Sequence, residues 1–90
     1  MITRMWEAKL ARECRPDPDS LPQGCETYLS YDGPPRVVVI SHFVDEGAVA
    51  AYAGSGWRLD ARAEAIAFGT AVEGEPHVWH FTRLAAEHPS

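Results

Sequence analysis

The chain has 90 residues, a formal net charge of −5 and a hydrophobic fraction of 46%. A chain of this length forms one domain, and it buries only about two-thirds of its unfolded surface, so its own core is small. Its Lys and Arg residues are scattered, which argues against nucleic acid as a partner because phosphates need a basic patch. No apolar run approaches the roughly 18 residues of a transmembrane helix, and the charged N-terminus is unlike a signal peptide. We therefore expect a cytoplasmic protein that binds no membrane.

The N-terminal half of the sequence predicts three strands. Ile2–Leu10 has β-type residues without Gly or Pro, which predicts a strand with two alternating faces. Prolines between Ala11 and Gly24 exclude a helix longer than about one turn, so we expect an ordered loop there. The second and third strands are Cys25–Tyr31 and Arg36–Val44, joined by a turn signal at 32–35. One face of the first strand carries Ile2, Arg4, Trp6, Ala8 and Leu10.

The third strand contains four consecutive aliphatic residues, from Val37 to Ile40. A strand with one wet face would alternate between apolar and polar residues, so this strand is predicted to be apolar on both faces. In the ferredoxin-like plan inferred below, the helices cover one face of the antiparallel sheet. A second subunit is the simplest cover for the other face, so we expect a homodimer.

Two helical stretches are predicted after the third strand. Asp45 is a candidate N-cap for a helix that ends at about Ala53, before Gly54-Ser55-Gly56. Asp60 is a candidate cap for a second stretch over Ala61–Phe68.

The last predicted strand is His77–Leu84, which follows a turn-rich connection over Thr70–Pro76. With a helix restored to the irregular segment after the first strand, the order becomes βαββαβ. We therefore expect an α+β fold, a ferredoxin-like antiparallel sheet with a shortened first helix. It forms a single domain over residues 1–84, with 85–90 as a C-terminal tail.

Three segments of the chain together resemble one known family. They are Met1–Trp6, the strand Val37–Phe43 that leads directly into the helix Asp45–Tyr52, and the closing strand His77–Phe81. In these hydrophobic patterns, which cover most of the chain, the sequence resembles the antibiotic-biosynthesis-monooxygenase family. The resemblance implies a dimeric α+β barrel in which two sheets pack face to face. The proline-broken stretch Ala11–Gly24 departs from it, because family members usually carry a full amphipathic helix there.

The resemblance also implies a range of functions, which includes cofactor-independent oxygenation of quinol-like polyketides, haem degradation and non-redox roles. From it we predict a small-molecule enzyme that oxygenates or rearranges a hydroxylated aromatic or polyketide substrate without a cofactor. Two alternatives stay open. The chain could be a non-catalytic homodimer that binds a ligand or a partner protein, or it could be a haem-handling protein.

Two histidines are the candidate catalytic residues. Proton abstraction from a phenol or an enol needs a group that changes its charge near neutral pH, as histidine does. His42 is predicted in the third strand and His80 in the last strand. If the first strand lies between these two strands, both rings could share a face, about two strand spacings or roughly 10 Å apart. The alternative is that each is a hydrogen-bonded histidine at a sheet edge or at the dimer seam.

Aromatic side chains are the candidate substrate-binding residues. Nine aromatic residues in a chain of this length are consistent with a flat apolar pocket, although ordinary core and dimer contacts also use aromatics. Trp57 follows a glycine-rich loop, where we expect the rim of a cavity. The residues selected for substrate binding are Trp6, Tyr28, Trp57 and Trp79.

The sequence lacks the signatures of several common sites. His77 and His80 lie three apart on a strand and so point to opposite faces, which is unsuitable for a zinc site. There is no Gly-rich phosphate loop and no dinucleotide fingerprint, so no cofactor is predicted. Cys14 and Cys25 are too few for a disulfide framework, and whether they pair stays open.

Overall fold

The structure, a computed structural model, describes residues 1–11, 19, 21 and 24–84 of the chain. These residues form a small α+β domain with a four-stranded antiparallel sheet and two helices. The strands are β1 (Ile2–Leu10), β2 (Glu26–Leu29), β3 (Arg36–Phe43) and β4 (Val72–Thr82), and the helices are α1 (Glu46–Ala53) and α2 (Arg62–Phe68).

The sheet has the strand order β2-β3-β1-β4. β1 therefore lies in the interior of the sheet and pairs antiparallel with both β3 and β4, so that Trp6 is opposite Val39 on one side and Val78 on the other. This arrangement confirms the α+β class and is compatible with the ferredoxin-like plan. The predicted loop over Ala11–Gly24 and the predicted tail over 85–90 lie almost entirely outside the described residues.

The helices pack on one face of the sheet, which we call the inner face. Alternate residues of β1 and β3 lie on it because successive side chains of a strand point to opposite sides. The rings of Trp6 and Phe68 stack there, with centroids 5.2 Å apart and planes within 9° of parallel. The buried core residues of this face are Trp6, Ala8, Leu10, Val37, Val39 and Phe68.

The opposite face of the sheet, which we call the open face, carries apolar side chains that stay partly exposed. Val37 and Val39 are fully buried on the inner face, whereas Val38 and Ile40 lie on the open face and Ile40 is opposite Met5. The prediction that the third strand is apolar on both faces is thus confirmed. Three aromatic residues of the open face have exposed fractions near one half, namely Tyr28, Trp79 and Phe81.

The first helix begins as predicted, and the second begins one residue later than predicted. Asp45 caps α1, because its Oδ1 accepts a hydrogen bond of 2.8 Å from the backbone N–H of Ala48. α2 begins at Arg62, and its N-cap Ala61 supplies no side-chain hydrogen bond. The carboxylate of Asp60 instead binds the backbone N–H and the guanidinium of Arg62. No helix in the described part of the chain is long and apolar enough to cross a membrane.

The last strand starts earlier than predicted. The turn signals of Thr70–Pro76 suggested a connection, but β4 already begins at Val72. Gly74 has a φ of 75°. Glu7 pairs with His77 and Lys9 pairs with Glu73, so three residues of β4 lie opposite the single residue of β1 between Glu7 and Lys9. The Gly and Pro therefore form a bulge inside the strand, which is a common location for both residue types.

Candidate functional site

A buried ion pair joins the centre of β1 to α2. Both Arg4 and Glu64 are 0% exposed. The guanidinium Nε of Arg4 donates to Oε2 of Glu64 at 2.7 Å, and Nη2 donates to Oε1 at 3.0 Å. The contact is bidentate, which is the strong geometry for Arg with a carboxylate.

The remaining donors of Arg4 bind groups from two other parts of the chain. Nη1 donates to the carbonyl oxygen of Trp57 at 2.9 Å, and Nη2 donates to the carbonyl oxygen of Asp60. Nη1 also lies 3.1 Å from Nε2 of His80. Because a guanidinium has only donors, Nε2 of His80 is the acceptor in this contact. All five N–H groups of Arg4 thus have partners inside the protein.

Local sequence explains how these groups meet. Arg4 occupies an inner-face position of β1, and the sheet register places His80 of β4 directly opposite it. In α2, Glu64 and Phe68 are one turn apart and are the two buried residues of that helix, so Glu64 points to the sheet with the apolar stripe. The chain thereby brings one cation, one anion and one histidine together beneath α2.

Two aromatic side chains complete what we call the inner polar cluster, which consists of Arg4, Tyr52, Trp57, Glu64 and His80. The Trp57 ring meets the His80 ring edge-on, with centroids 4.7 Å apart. The Tyr52 ring lies 5.9 Å from Cζ of Arg4, within the range of a cation–π contact. The cluster therefore combines a fixed cation with aromatic surfaces.

Burial shifts the proton affinity of two groups in the cluster. Burial first, and then the charge of Arg4, lower the pKa of His80. His80 is therefore held as a neutral imidazole near pH 7. Burial, followed by the nearby carboxylate of Glu64, raises the pKa of Tyr52 to about 12.

A second polar group lies on the open face, at the end where β1, β2 and β3 meet. Oγ1 of Thr3 is 3.1 Å from Nδ1 of His42, and Nε2 of His42 is 3.4 Å from Oε1 of Glu26. Tyr28 donates its hydroxyl to Oε2 of Glu26 at 2.6 Å. This hydrogen bond, and then the one from His42, lower the pKa of Glu26, although exposure to solvent weakens the interactions of such a group.

The two candidate catalytic histidines lie on opposite faces of the sheet. His42 is opposite Thr3 of β1, and His80 is opposite Arg4, the next residue of the same strand. The expectation that both rings could share a face is therefore wrong. The error has a simple origin, because a difference of one register position moves a side chain to the other side.

The four candidate substrate-binding aromatics do not form one pocket. Trp6 is fully buried in the core, where its Nε1 donates to the carbonyl oxygen of Ala61 at 2.8 Å. Trp57 is only 6% exposed, so it packs within the inner polar cluster and does not form the expected cavity rim. Tyr28 and Trp79 lie on the open face.

The described residues form surface depressions beside α2. Two of them, of about 550 Å³ and 610 Å³, share Asp60, Arg62 and Ala65 in their walls. Neither is lined by a residue of the inner polar cluster other than Tyr52. Arg4, Glu64 and Trp57 have almost no exposed surface, so the guanidinium is closed to ligands in this conformation, whereas His80 is partly buried and Tyr52 is 39% exposed.

Cys25 lies near the inner polar cluster, close to Tyr52. Its Sγ is 3.0 Å from the hydroxyl oxygen of Ser41, an inner-face residue of β3. Cys14 lies outside the described residues, so the pairing of the two cysteines stays untested. Within the described residues, no three His, Cys, Asp or Glu side chains are grouped as metal ligands.

Sequence reasoning missed the partnership of Arg4 with Glu64, although a signal for it exists. Arg4 is the one charged residue on a strand face that otherwise reads Ile, Trp, Ala and Leu, and Glu64 interrupts an Ala-rich helix. A charge at a core position needs a partner of opposite sign. Two such positions of opposite sign in separate elements predict an ion pair.

Comparison with known proteins leaves the resemblance to the antibiotic-biosynthesis-monooxygenase family as a prediction. No family model, curated protein or solved structure that we compared with this chain matches it.

Proposed function

We propose that the protein is a homodimer in which the open faces of two copies pack against each other, as in a dimeric α+β barrel. The supporting observation is the apolar centre of that face, where Met5 lies between Ile40 and Trp79. Contiguous exposed apolar surface of this kind is rare on monomers and typical of interaction sites. A second copy is the natural occupant because the same apolar face would be covered on both partners.

The size of the open face also fits this partner. β1 has nine residues, and at about 3.4 Å per residue and 4.8 Å per strand the face measures roughly 500 Å². Two such faces bury roughly 1,000 Å² in total when the sheet is treated as flat, and the protruding side chains add to this area. The total reaches the lower range of specific interfaces.

Light scattering at micromolar concentration tests the dimer, with an expected mass of twice the 9.9 kDa chain. Val38→Asp places a charge in the middle of the open face and should shift the mass toward the monomer. Ile66→Asp is the matched control, because Ile66 is 82% exposed on α2, and it should leave the dimer intact. A monomeric wild-type protein would refute this proposal.

We further infer that the inner polar cluster binds a hydroxylated aromatic compound and removes its phenolic proton. The observation that carries this proposal is the contact between Arg4 and His80 at 3.1 Å. A neutral imidazole can accept the proton, and the adjacent guanidinium stabilises the phenolate that forms. The electron-rich anion then reacts with molecular oxygen, as the family resemblance implies. A ring carbon forms a bond to oxygen, the resulting peroxide takes back the proton held by His80, and the O–O bond breaks as water leaves to give the quinone. The protein contributes positioning and exclusion of water.

His80 is preferred over His42 as the base in this proposal. His42 lies on the open face, which the proposed dimer covers, and a threonine and a glutamate are its neighbours there. His80 has a fixed cation beside it and aromatic walls around it. The substrate hydroxyl must enter between Nη1 of Arg4 and Nε2 of His80, so binding requires their contact to open.

Oxygen uptake with 1,4-dihydroxynaphthalene, a model quinol, tests the reaction. We expect the protein to accelerate uptake above the uncatalysed rate, and His80→Asn to reduce the acceleration about 100-fold or more, the usual size of a general-base contribution. His42→Asn is the matched control and should retain the rate. Equal rates for wild type and His80→Asn would refute catalysis by this residue.

A non-catalytic binding dimer is the second candidate, and one observation favours it. Every N–H of Arg4 already has a partner inside the protein, so the closed conformation offers no donor to a substrate. Binding of the quinol without accelerated oxygen uptake would support this second function.

A further inference from the structure

The ion pair of Arg4 and Glu64 places two charged side chains in a small core, which is unusual. Arg4 and Glu64 are among the largest fully buried side chains of the described residues. Two charges lose their hydration on burial, and well-packed apolar residues of similar volume are often equally or more stabilising. Stability alone is therefore a poor explanation for the pair.

The pair has the bidentate geometry that Arg adopts with the carboxylates of side chains and of ligands alike. Glu64 presents both oxygens to the Nε and Nη2 edge of Arg4, at 2.7 Å and 3.0 Å, which is the planar bidentate mode used for ligand carboxylates. The Nη1 edge of the same guanidinium faces His80. The guanidinium of Arg4 thus binds a carboxylate on one edge and the proposed base on the other.

We propose that Glu64 occupies the position of a ligand carboxylate, and that the substrate is a hydroxylated aromatic acid whose carboxylate displaces Glu64 from Arg4. This inference rests on the proposed inner-face site and adds the substrate class to it. The acid group binds the Nε and Nη2 edge, and the hydroxyl lies near His80. The ring of the ligand then has Trp57 and Tyr52 beside it, which supply the aromatic contacts.

Displacement of Glu64 requires the segment 57–68 to move away from the sheet. Arg4 binds this segment at three points, the carbonyls of Trp57 and Asp60 and the side chain of Glu64. Loss of the Arg4 contacts would still leave the hydrogen bond from Trp6 to Ala61 and the stacking of Phe68 on Trp6. It would also leave the packing of Ala61, Ala65 and Ala67 on the core.

The ends of this segment are suited to such a movement. Gly54 and Gly69 flank it with φ angles of 92° and 54°. Glycine changes its backbone angles at little steric cost, and small changes at a few terminal residues are sufficient to open a lid.

Calorimetric titration with 4-hydroxybenzoate tests the inference, with the uncharged 4-hydroxybenzyl alcohol as the matched probe. Because the tethered Glu64 carboxylate competes at a high effective concentration, wild type should bind the acid weakly. Glu64→Gln keeps the shape and removes the charge, so it should bind at least tenfold more tightly, and Glu64→Ala should behave alike. Arg4→Gln, made in the Glu64→Gln background so that no unpaired carboxylate is left in the core, should abolish binding.

Glu73→Ala is the control, since Glu73 is an exposed carboxylate of β4 that lies opposite Lys9, and it should bind as wild type does. Hydrogen exchange on wild type should show faster exchange of amides 57–68 at saturating 4-hydroxybenzoate. Equal affinity of wild type and Glu64→Gln, equal binding of acid and alcohol, or absence of wild-type binding up to the solubility limit would each overturn the inference.

The same measurements separate this inference from the proposed reaction. Competitive binding of the acid with no acceleration of oxygen uptake would refute the reaction and keep the displacement of Glu64. Acceleration of quinol oxidation without any binding of the acid would keep the reaction and overturn the displacement.

Discussion

Replacement of Arg4 by methionine removes the cation of the inner polar cluster and leaves its acceptors buried. Glu64 is 0% exposed, so its carboxylate would remain in the core without a counter-charge. The carbonyls of Trp57 and Asp60 would also lose their donors. We expect Arg4→Met to prevent the segment that carries these groups from packing normally.

The cost of this change follows from its mechanism. Breaking a buried ion pair by removal of one partner typically destabilises a protein by about 3–5 kcal/mol. A chain of this length has a total free energy of unfolding of about 5–14 kcal/mol. Arg4→Met should therefore remove about a fifth or more of it, and shift the urea midpoint by roughly 1.5–2.5 M at a typical slope of about 2 kcal/mol per M.

Urea unfolding, followed by tryptophan fluorescence and circular dichroism, measures this shift. The double variant Arg4→Met with Glu64→Leu is the matched comparison, because it removes both charges and should recover at least half of the lost stability. A loss below about 1 kcal/mol in Arg4→Met, or no recovery in the double variant, would contradict the view that an uncompensated buried charge is the cause.

Three further predictions concern stability. The folded-state pKa of His80 is lowered, so the unfolded chain takes up the proton first as the pH falls. The Tm should therefore be constant above about pH 6.5 and decrease below it until the folded pKa is passed, and His80→Asn should reduce this dependence in scanning calorimetry. Asp45→Ala should destabilise by about 1 kcal/mol in urea unfolding, whereas Asp45→Ser should retain most of the cap. Phe68→Ala removes the ring stacked on Trp6 and should cost about 3–5 kcal/mol by the same assay, more than Phe68→Leu.

The strands and the first helix could be predicted because their signals are local. β1 has the predicted bounds Ile2–Leu10, and β3 ends one residue earlier than predicted. Alternation and aliphatic runs identify such strands independently of the rest of the chain. The beginning of β4 was missed because Gly74 and Pro76 indicate a turn equally well when they form a bulge.

The candidate site could be predicted only in part because it depends on long-range register. His80 was identified from its residue type alone, whereas its separation from His42 depends on which residue of β1 each one faces. The pairing of Arg4 with Glu64 joins residues that are 60 positions apart. Such contacts follow from how α2 is placed on the sheet, which local patterns do not specify.

The edge strand β4 has unequal halves, and this asymmetry has a consequence for handling the protein. In its first half, the bulge and Pro76 interrupt the row of backbone donors and hinder attachment of another chain. The second half, His77–Thr82, contains no proline, lysine or acid, and it carries Trp79 and Phe81. A short segment of this kind is a template for intermolecular β-aggregation. Aggregation at high protein concentration should therefore start at this half of β4, and the substitution Thr82→Lys should suppress it.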